Sequence, residues 1–252
     1  MSAILTGRPL APLAERLARL SPLSEAERES LLSLPHTIRT LAASTHIVRD
    51  GDRVESCTIL LSGFAYRYKI TGEGARQIIS VHIAGELLDL QHCFLPIADH
   101  GLQLLTDANV AVVPRQAIGD LVLAAPGIAR AFWVDSLIDA AIFREWVVNV
   151  GRRNSRARVA HILCEIFLRL QAAGLVRGQR YILPMTQEQL ADAVGLTSVH
   201  VNRVLKQLAE EGLISRDRRT IAIEDWGRLK RTGDFNERYL HHDVGGGLGA
   251  AT

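Results

Sequence analysis

No part of this chain restricts its folding more than Thr186–Leu208. Leu190, Val194 and Leu196 give a first short helix and its exit an apolar side, and Val201, Val204, Leu205 and Leu208 return at helical spacing in a second. Gly195 lies between the two, where the chain has to turn within a few residues, and glycine takes the backbone angles of such a turn at little cost. Thr186 and Thr197 stand where N-caps are needed. The second helix then has an apolar back and an outward set of Ser198, His200, Asn202, Arg203 and Lys206, all able to donate hydrogen bonds. The major groove of DNA admits a helix of this kind. Two helices meeting at a glycine also occur in proteins that bind nothing, so this window alone leaves both readings open.

The residues that follow favour DNA. Glu211-Gly212 ends the second helix with a glycine. Leu213–Arg216, Asp217-Arg218-Arg219 and Thr220–Ile223 predict a short β-hairpin with a cationic tip. A helix pair followed by a basic hairpin is a winged helix-turn-helix. Within it Arg203 is expected to read a base, with Ser198, His200 and Asn202 sharing the base contacts and Thr197 opening the helix. Thr186, Gln187, Lys206, Arg216, Arg218 and Arg219 are expected on phosphates. His200 has a second placement open to it, buried against the first helix, and the hairpin arginines could equally form a solvated charged turn.

Charge is distributed accordingly. The net charge of the 252 residues is only +2, but it is −3 over residues 1–150, +7 over 151–231 and −2 over 232–252. A mildly acidic front and a basic back suit a sensor joined to a module that binds a polyanion. No run of eighteen apolar residues exists and the N-terminus shows no charged-then-apolar leader, so a cytoplasmic protein with no membrane partner is expected. Cys57, Cys93 and Cys164 are far apart in sequence and show no C-x-x-C pairing, which fits a reducing compartment. No metalloprotease motif, P-loop, G-x-S-x-G or dinucleotide fingerprint is found, so no enzyme activity is expected. His82, His92, Cys93 and His100 match no known ligand spacing, and neither a metal nor another cofactor is expected. Residues 232–252 are expected to be a flexible tail, ending in the core-poor run Gly245–Thr252.

The front half has a different texture. Residues 12–34 read as helical, with Ser24 and Glu27 as a capping box. From about Ile38 to Pro114 short apolar or alternating runs are broken by glycine turns: Thr45–Arg49, Cys57–Leu61, Phe64–Ile70, Ala75–Ile83, Leu102–Leu105 and Ala108–Val113. Such spacing predicts a β-sandwich or barrel, a small jelly roll being the natural form. Residues 126–150 are helical again and apolar on more than one side. This helix either belongs to the core of a larger domain or packs on the barrel by one side and on a second subunit by the other. The second arrangement is favoured, with Ala131, Val134, Ile138, Ala141 and Val148 as the seam. Gly151–Ser155 reads as a hinge, and Arg156–Gln171 as a further helix leading into the winged module.

In this order the chain resembles the Crp/Fnr superfamily of bacterial transcription regulators. The resemblance runs from about residue 12 to 230 and is most specific over Thr186–Ile214 and Asp225–Leu229. Asp50-Gly51-Asp52, Leu61-Ser62-Gly63 and Gly85-Glu86-Leu87 carry it more loosely in the barrel. The fold expected is α+β: a β-roll sensor domain over residues 1–125, a dimerisation helix and hinge over 126–153, a winged helix-turn-helix over 154–231, and a tail. The resemblance implies a homodimer on a two-fold symmetric double-stranded DNA operator, working with RNA polymerase. A rival reading, an effector-binding module whose helix-turn-helix serves protein contact, is separated from it by salt-dependent binding to duplex DNA.

The departures from the family pattern are informative. In members that bind cyclic nucleotides, Gly-Glu-Leu is followed by an Arg-Ser pair that holds the cyclic phosphate. Here Gly85, Glu86 and Leu87 stand, but His100-Gly101 occupies the Arg-Ser place, and a neutral imidazole replaces a guanidinium poorly. Cyclic AMP is therefore not expected as effector, and Glu86 is read as a turn or cap residue. Arg67 and Arg76, on neighbouring strands, leave open a different ligand. No cysteine precedes Cys57, which argues against the iron–sulfur branch. In the recognition helix the late arginine is kept as Arg203. The early glutamate is replaced by Val199, which can only touch a thymine methyl.

Overall fold

The computed structural model describes residues 7–242; the run Gly245–Thr252 lies outside them. The chain divides into two compact units. One gathers the residues up to Lys69 with Val81–Asp139, and the other Ile70–Ser80 with Ala140–His241.

The first unit starts with α1 (Ala11–Leu20), which buries Leu13, Ala14 and Leu17, and α2 (Glu25–Leu32). The capping box at α2 forms as the sequence implies: Ser24 Oγ accepts from the Glu27 backbone N–H at 3.3 Å, and Glu27 Oε2 accepts from the Ser24 N–H at 2.9 Å. The strands β1 (Thr37–Leu41), β2 (His46–Val48), β3 (Ser56–Ser62), β4 (Phe64–Ile70), β5 (Arg76–Ile83), β6 (Gly101–Leu104) and β7 (Ala108–Pro114) follow. They form two sheets, β1-β7-β3 and β2-β6-β4-β5, which make the β-roll. β7 pairs antiparallel with both neighbours, placing Val112 opposite Thr37 and Val113 opposite Cys57.

Period-two alternation sorts β3 and β7 between two cores. Cys57, Ile59 and Leu61 of β3 and Ala111 and Val113 of β7 join a cluster with Leu13 and Leu17 of α1 and with the helices after the roll. Leu60 and Val110 point the other way, into the roll, with Ala65, Leu102 and Leu104. A strand buried on both faces reads as a continuous apolar run, as Cys57–Leu61 does. After β7 come α3 (Arg115–Ala124) and the 27-residue α4 (Pro126–Arg152). Neither α3, β1 nor the 3-10 turn Leu90–Cys93 is legible in the sequence pattern.

The second unit is built on α5 (Ser155–Ala172), capped by Asn154, whose Oδ1 accepts from the Ala157 N–H at 2.9 Å. β8 (Arg180–Ile182), α6 (Gln187–Val194), α7 (Ser198–Glu210), β9 (Ile214–Asp217), β10 (Thr220–Ile223) and α8 (Trp226–Thr232) complete the winged helix-turn-helix, with sheet order β8-β10-β9.

Two expectations are corrected. The stretch read as a hinge is mostly helix: α4 continues to Arg152, and Arg153 is fixed by Glu145 at 2.6 Å. The tail does not begin at 232. Phe235 and Leu240 are buried, and a 3-10 turn over Glu237–Leu240 brings Tyr239 Oη to 3.0 Å from His161 Nε2. Gly233 permits this docking, because a Cβ there would stand 2.7 Å from the His161 backbone nitrogen. Among the described residues no single helix is long and apolar enough to cross a membrane. α3 and α4 are long and apolar enough only when taken together, and they meet at 116°.

Candidate nucleic-acid interface and sensor core

The helix pair is held by its own caps. Thr186 Oγ1 accepts from the Gln189 N–H at 3.2 Å, Gln189 Oε1 accepts from the Thr186 N–H at 2.9 Å, and Thr197 Oγ1 accepts from the His200 N–H at 3.3 Å. Gly195 ends α6 at φ +63°, the left-handed geometry that favours glycine. Val201, Val204, Leu205 and Leu208 bury the back of α7, so Ser198, Val199, Asn202, Arg203 and Lys206 face solvent.

Within that face the residues differ in freedom. Arg203 has no hydrogen-bond or ion-pair partner among the described residues, and Lys206 reaches only the exposed Glu210, at 3.6 Å. Asn202 is already engaged: its Oδ1 accepts from Arg216 of β9 at 3.0 Å and from Gln187 Nε2 of α6 at 3.5 Å. Its carbonyl oxygen ties the wing and the first helix to α7, which leaves its Nδ2 amide as the group able to donate. His200 is half-buried, between the two placements left open by the sequence. The hydroxyls of Thr186 and Thr197 are spent as caps, which leaves backbone N–H groups of the first turns as their share of any anion contact.

Arg218 and Arg219 form the two-residue turn between β9 and β10, and both side chains are exposed and unpaired among the described residues. Arg218 sits at φ +52°, where glycine or asparagine would be less strained. A strained position that nonetheless carries a long cation points to a use for the side chain. Arg216, Arg218 and Arg219 line a cleft of about 160 Å³ together with Thr186 and Gln187 at the start of α6. Cations and a helix N-terminus converge there, as an anion requires.

Two supports of the helix pair were invisible in the sequence. Arg158 of α5 donates from Nη1 to the carbonyls of Val194 at 3.1 Å and Gly195 at 3.4 Å, satisfying the open C-terminal end of α6. Arg76 Nε lies 2.7 Å from Asp192 of α6, and Gln77 donates to the Ala193 carbonyl. Arg76 thus belongs to the helix pair and not to an effector pocket, as the sequence had left open.

Of the residues expected to line that pocket, Glu86 stands at the centre of a buried polar network. Gly85 turns at φ +93° directly under α1, and a Cβ would stand 2.9 Å from the Pro12 carbonyl oxygen. From α1, Arg16 reaches Glu86 Oε1 at 3.4 Å and Asp135 of α4 at 2.8 Å, while His82 Nδ1 lies 2.7 Å from Glu86 Oε2. Glu86 stands in the turn after β5 as expected, but its side chain is the centre of this network and not a cap. Burial opposes the charge on Arg16, yet Glu86 and Asp135 more than offset it and hold the guanidinium protonated. Arg67 is 2.6 Å from Asp139 and donates to the Leu88 carbonyl. Leu87 is buried beside the network.

At the Arg-Ser place, His100 is buried, with Nδ1 at 2.6 Å from Asp99 and its ring stacked on His92. Burial pushes its imidazole below the ordinary value, so it is a weaker cation than a free histidine. Gly101 starts β6 against the ring of Tyr68. Among the described residues no three His, Cys, Asp or Glu side chains come together as a metal would need. Asp89 is fully buried. Its Oδ1 accepts from the Thr58 N–H at 2.7 Å, its Oδ2 has no partner among the described residues, and burial pushes the carboxyl up to about 7.

α4 requires the largest correction. Ala131, Ile138 and Ala141, placed in the expected seam, are buried within their own chain, and Val134 is partly so; only Val148 of that set is open. The apolar residues left in solvent are Trp133, Leu137, Phe143, Val147 and Val148, with Trp133 69% exposed and Leu137 58%. A helix apolar on several sides does not reveal from its pattern which stripe its own fold takes first.

Residues 38–124 match the cyclic nucleotide-binding domain family and residues 157–232 the Crp-like helix-turn-helix domain family. The nitrogen fixation regulation protein FixK of Rhizobium meliloti is 28% identical over 202 residues, 76% of this chain and 85% of that one. The transcriptional activator protein anr of Pseudomonas aeruginosa is 24% identical over 216 residues, 86% of each chain. Among solved structures, FixK2 from Bradyrhizobium japonicum is similar with a TM-score of 0.73 at 24% identity, covering 79% of this chain and 98% of that one.

Asp89 gives a direct check on the sensor core. Its proton is held to about pH 7 in the fold but lost near 3.8 in the unfolded chain, so the stability it contributes is full below about pH 4 and is lost as pH rises through 7. Asp89→Asn cannot titrate. The stability of the natural protein relative to Asp89→Asn should fall by up to about 4 kcal/mol between pH 4 and pH 8 in denaturant titrations. A difference that stays constant across that range would mean that the carboxyl is ionised throughout.

Proposed function

We propose, since this chain belongs to the Crp/Fnr superfamily of bacterial transcription regulators, that it is a homodimeric, sequence-specific DNA-binding regulator whose roll has given up cyclic-nucleotide recognition. Its relatives are regulators and not enzymes. The observation that carries the DNA reading is the face formed by α7 and the wing, where unpaired Arg203, Arg218 and Arg219 share one side with capped helix N-termini. Arg203 reads a guanine through O6 and N7, and Ser198 and half-buried His200 contact neighbouring bases. Val199, 70% exposed, meets a thymine methyl. Arg216, Arg218, Arg219, Lys206 and the N–H groups at Gln187 hold phosphates.

The dimer forms through the open side of α4. Trp133, Leu137, Phe143, Val147 and Val148 expose a larger apolar surface than a solitary helix in water retains without a partner, and a second copy offers the same stripe. Two recognition helices then meet two half-sites, and the bound dimer works with RNA polymerase in the cytoplasm.

In the roll, Glu86 is already paired with Arg16 beneath α1 and hydrogen-bonded to His82, whose imidazole burial pushes below its ordinary value, and the place of the phosphate-binding arginine holds a buried, weakly basic histidine. A cyclic phosphate would carry its charge into a site without a free cation, at a cost of several kcal/mol.

Four measurements test these readings. Arg203→Ala should cost about 1–3 kcal/mol on the cognate duplex and flatten base preference at one position; equal losses on cognate and random duplex would reduce Arg203 to a phosphate contact. Arg218→Gly, which relieves strain, should keep or raise Tm in thermal melts while making the salt dependence of duplex binding shallower. Leu137→Asp should sediment as a folded monomer and bind its operator weakly, whereas a persistent dimer would move the interface off α4. Ile138→Asp, within the fold, would report on folding instead. Calorimetry with cyclic AMP and cyclic GMP should give no heat of binding, and micromolar binding lost in Glu86→Ala would restore the pocket.

A further inference from the structure

Cys57 and Cys93 are 36 positions apart, yet their sulfurs lie 3.5 Å from each other. Cys57 is fully buried in the middle of the first unit, on β3, and its thiol points to the Asp89 carbonyl at 3.8 Å. Cys93 is the last residue of the 3-10 turn and only partly buried, with its thiol 3.9 Å from the Arg115 carbonyl that opens α3. The chain leaves this turn into solvent, where Phe94 is 71% and Leu95 62% exposed. One cysteine is thus partly open to solvent and the other stands directly behind it. Nothing in the DNA-binding reading uses either.

We infer that Cys57 and Cys93 form a reversible dithiol–disulfide couple in the roll, oxidised by a hydroperoxide. The Cys93 thiolate attacks the peroxide oxygen, forming an S–O bond as the O–O bond breaks; an alcohol or water leaves and Cys93 becomes a sulfenic acid. The Cys57 sulfur then attacks the Cys93 sulfur, its proton leaves with the hydroxyl as water, and the S–S bond closes. Two thiols lose two electrons and the peroxide gains them. The sulfurs must approach from 3.5 Å to the bond length of about 2.05 Å. The moving partner is the turn, since β3 is locked into its sheet by pairing with β7. The thiols are suited to these roles. Hydrogen bonding from Cys57 holds Cys93 below the ordinary thiol value, which favours the attacking thiolate, while that same bond and burial raise Cys57 and keep it from reacting first. Closing the bond takes the Cys93 thiol off the Arg115 carbonyl, so oxidation is felt where α3 begins. Cys164, buried in α5 and raised by burial, stays out of the reaction.

The test uses the full chain, reduced and then treated with limiting hydrogen peroxide. Alkylation before digestion should show free thiols falling from three to one, with Cys164 the survivor, and mass spectrometry should find a peptide joining Cys57 to Cys93 that dithiothreitol releases. Cys57→Ser should instead leave a Cys93 sulfenic acid that dimedone traps, and Cys93→Ser should lose no thiol at the same dose. Retention of all three thiols, a sulfinic Cys93 without a cross-link, or a disulfide involving Cys164 or a second chain would each overturn the inference. None of these readouts depends on DNA binding, so the couple and the DNA reading stand or fall separately.

Discussion

Glu165 is a carboxylate with no access to water, and the second unit is arranged around satisfying it. Trp146 of α4 donates its indole N–H to both oxygens at 3.0 Å, Tyr239 donates at 2.7 Å, and Arg169 lies 3.4 Å away. Burial raises the pKa of this carboxyl, and its oxygens are tolerable there only when hydrogen-bonded, so the three donors cannot drift independently. One comes from α4, one from α5 itself and one from the C-terminal turn. The bond set ties the second half of α4 and the C-terminal turn to α5. The same α5 holds α6 through Arg158, and α7 lies against it. The reading helix is therefore held at a set position relative to the second half of α4, the condition a two-fold reader of DNA has to meet.

The first unit solves a similar problem to a different end. Glu86 stands where the family pattern would offer a carboxylate to a ligand, and here its charge is matched within the chain by Arg16, with His82 as a hydrogen-bond partner. Removing one member of a buried pair costs far more than the pair contributes, so such a network resists being opened by a weakly held ligand. The α1 helix that delivers Arg16 also covers the Gly85 turn. On the function proposed above, a roll of this kind keeps the family's framework without recognising a cyclic nucleotide, and the thiol pair proposed on β3 and the nearby 3-10 turn would give it a different input.

What the sequence made legible is what short-range physics determines. Thr186, Gly195, Thr197, Ser24 and Glu27 all do in the fold what their spacing implies, because caps and turns depend on residues three or four positions away. The strands from Cys57 to Val113 were legible through their glycine boundaries. Three kinds of feature were not. The facing of α4 was ambiguous because its pattern is apolar on several sides, so Ala131, Ile138 and Ala141 were expected on a surface although the chain's own fold buries them. Residues 232–241 look polar and loop-like, yet Phe235, Tyr239 and Leu240 dock onto α5, a contact no local window contains. The pairs Arg16–Glu86, Arg158–Gly195, Arg76–Asp192 and Cys57–Cys93 join residues tens of positions apart, and only the closed fold brings them together.

The central claim is that two copies of this chain present two α7 helices to one duplex. It is tested most directly by selecting bound sequences from a pool of random duplexes with the purified protein at physiological salt. The account predicts an enriched motif with two-fold symmetry, its half-sites about one helical turn apart, containing a guanine for Arg203 and a thymine for Val199. Enrichment of nothing, or of a single half-site without its mate, would contradict it.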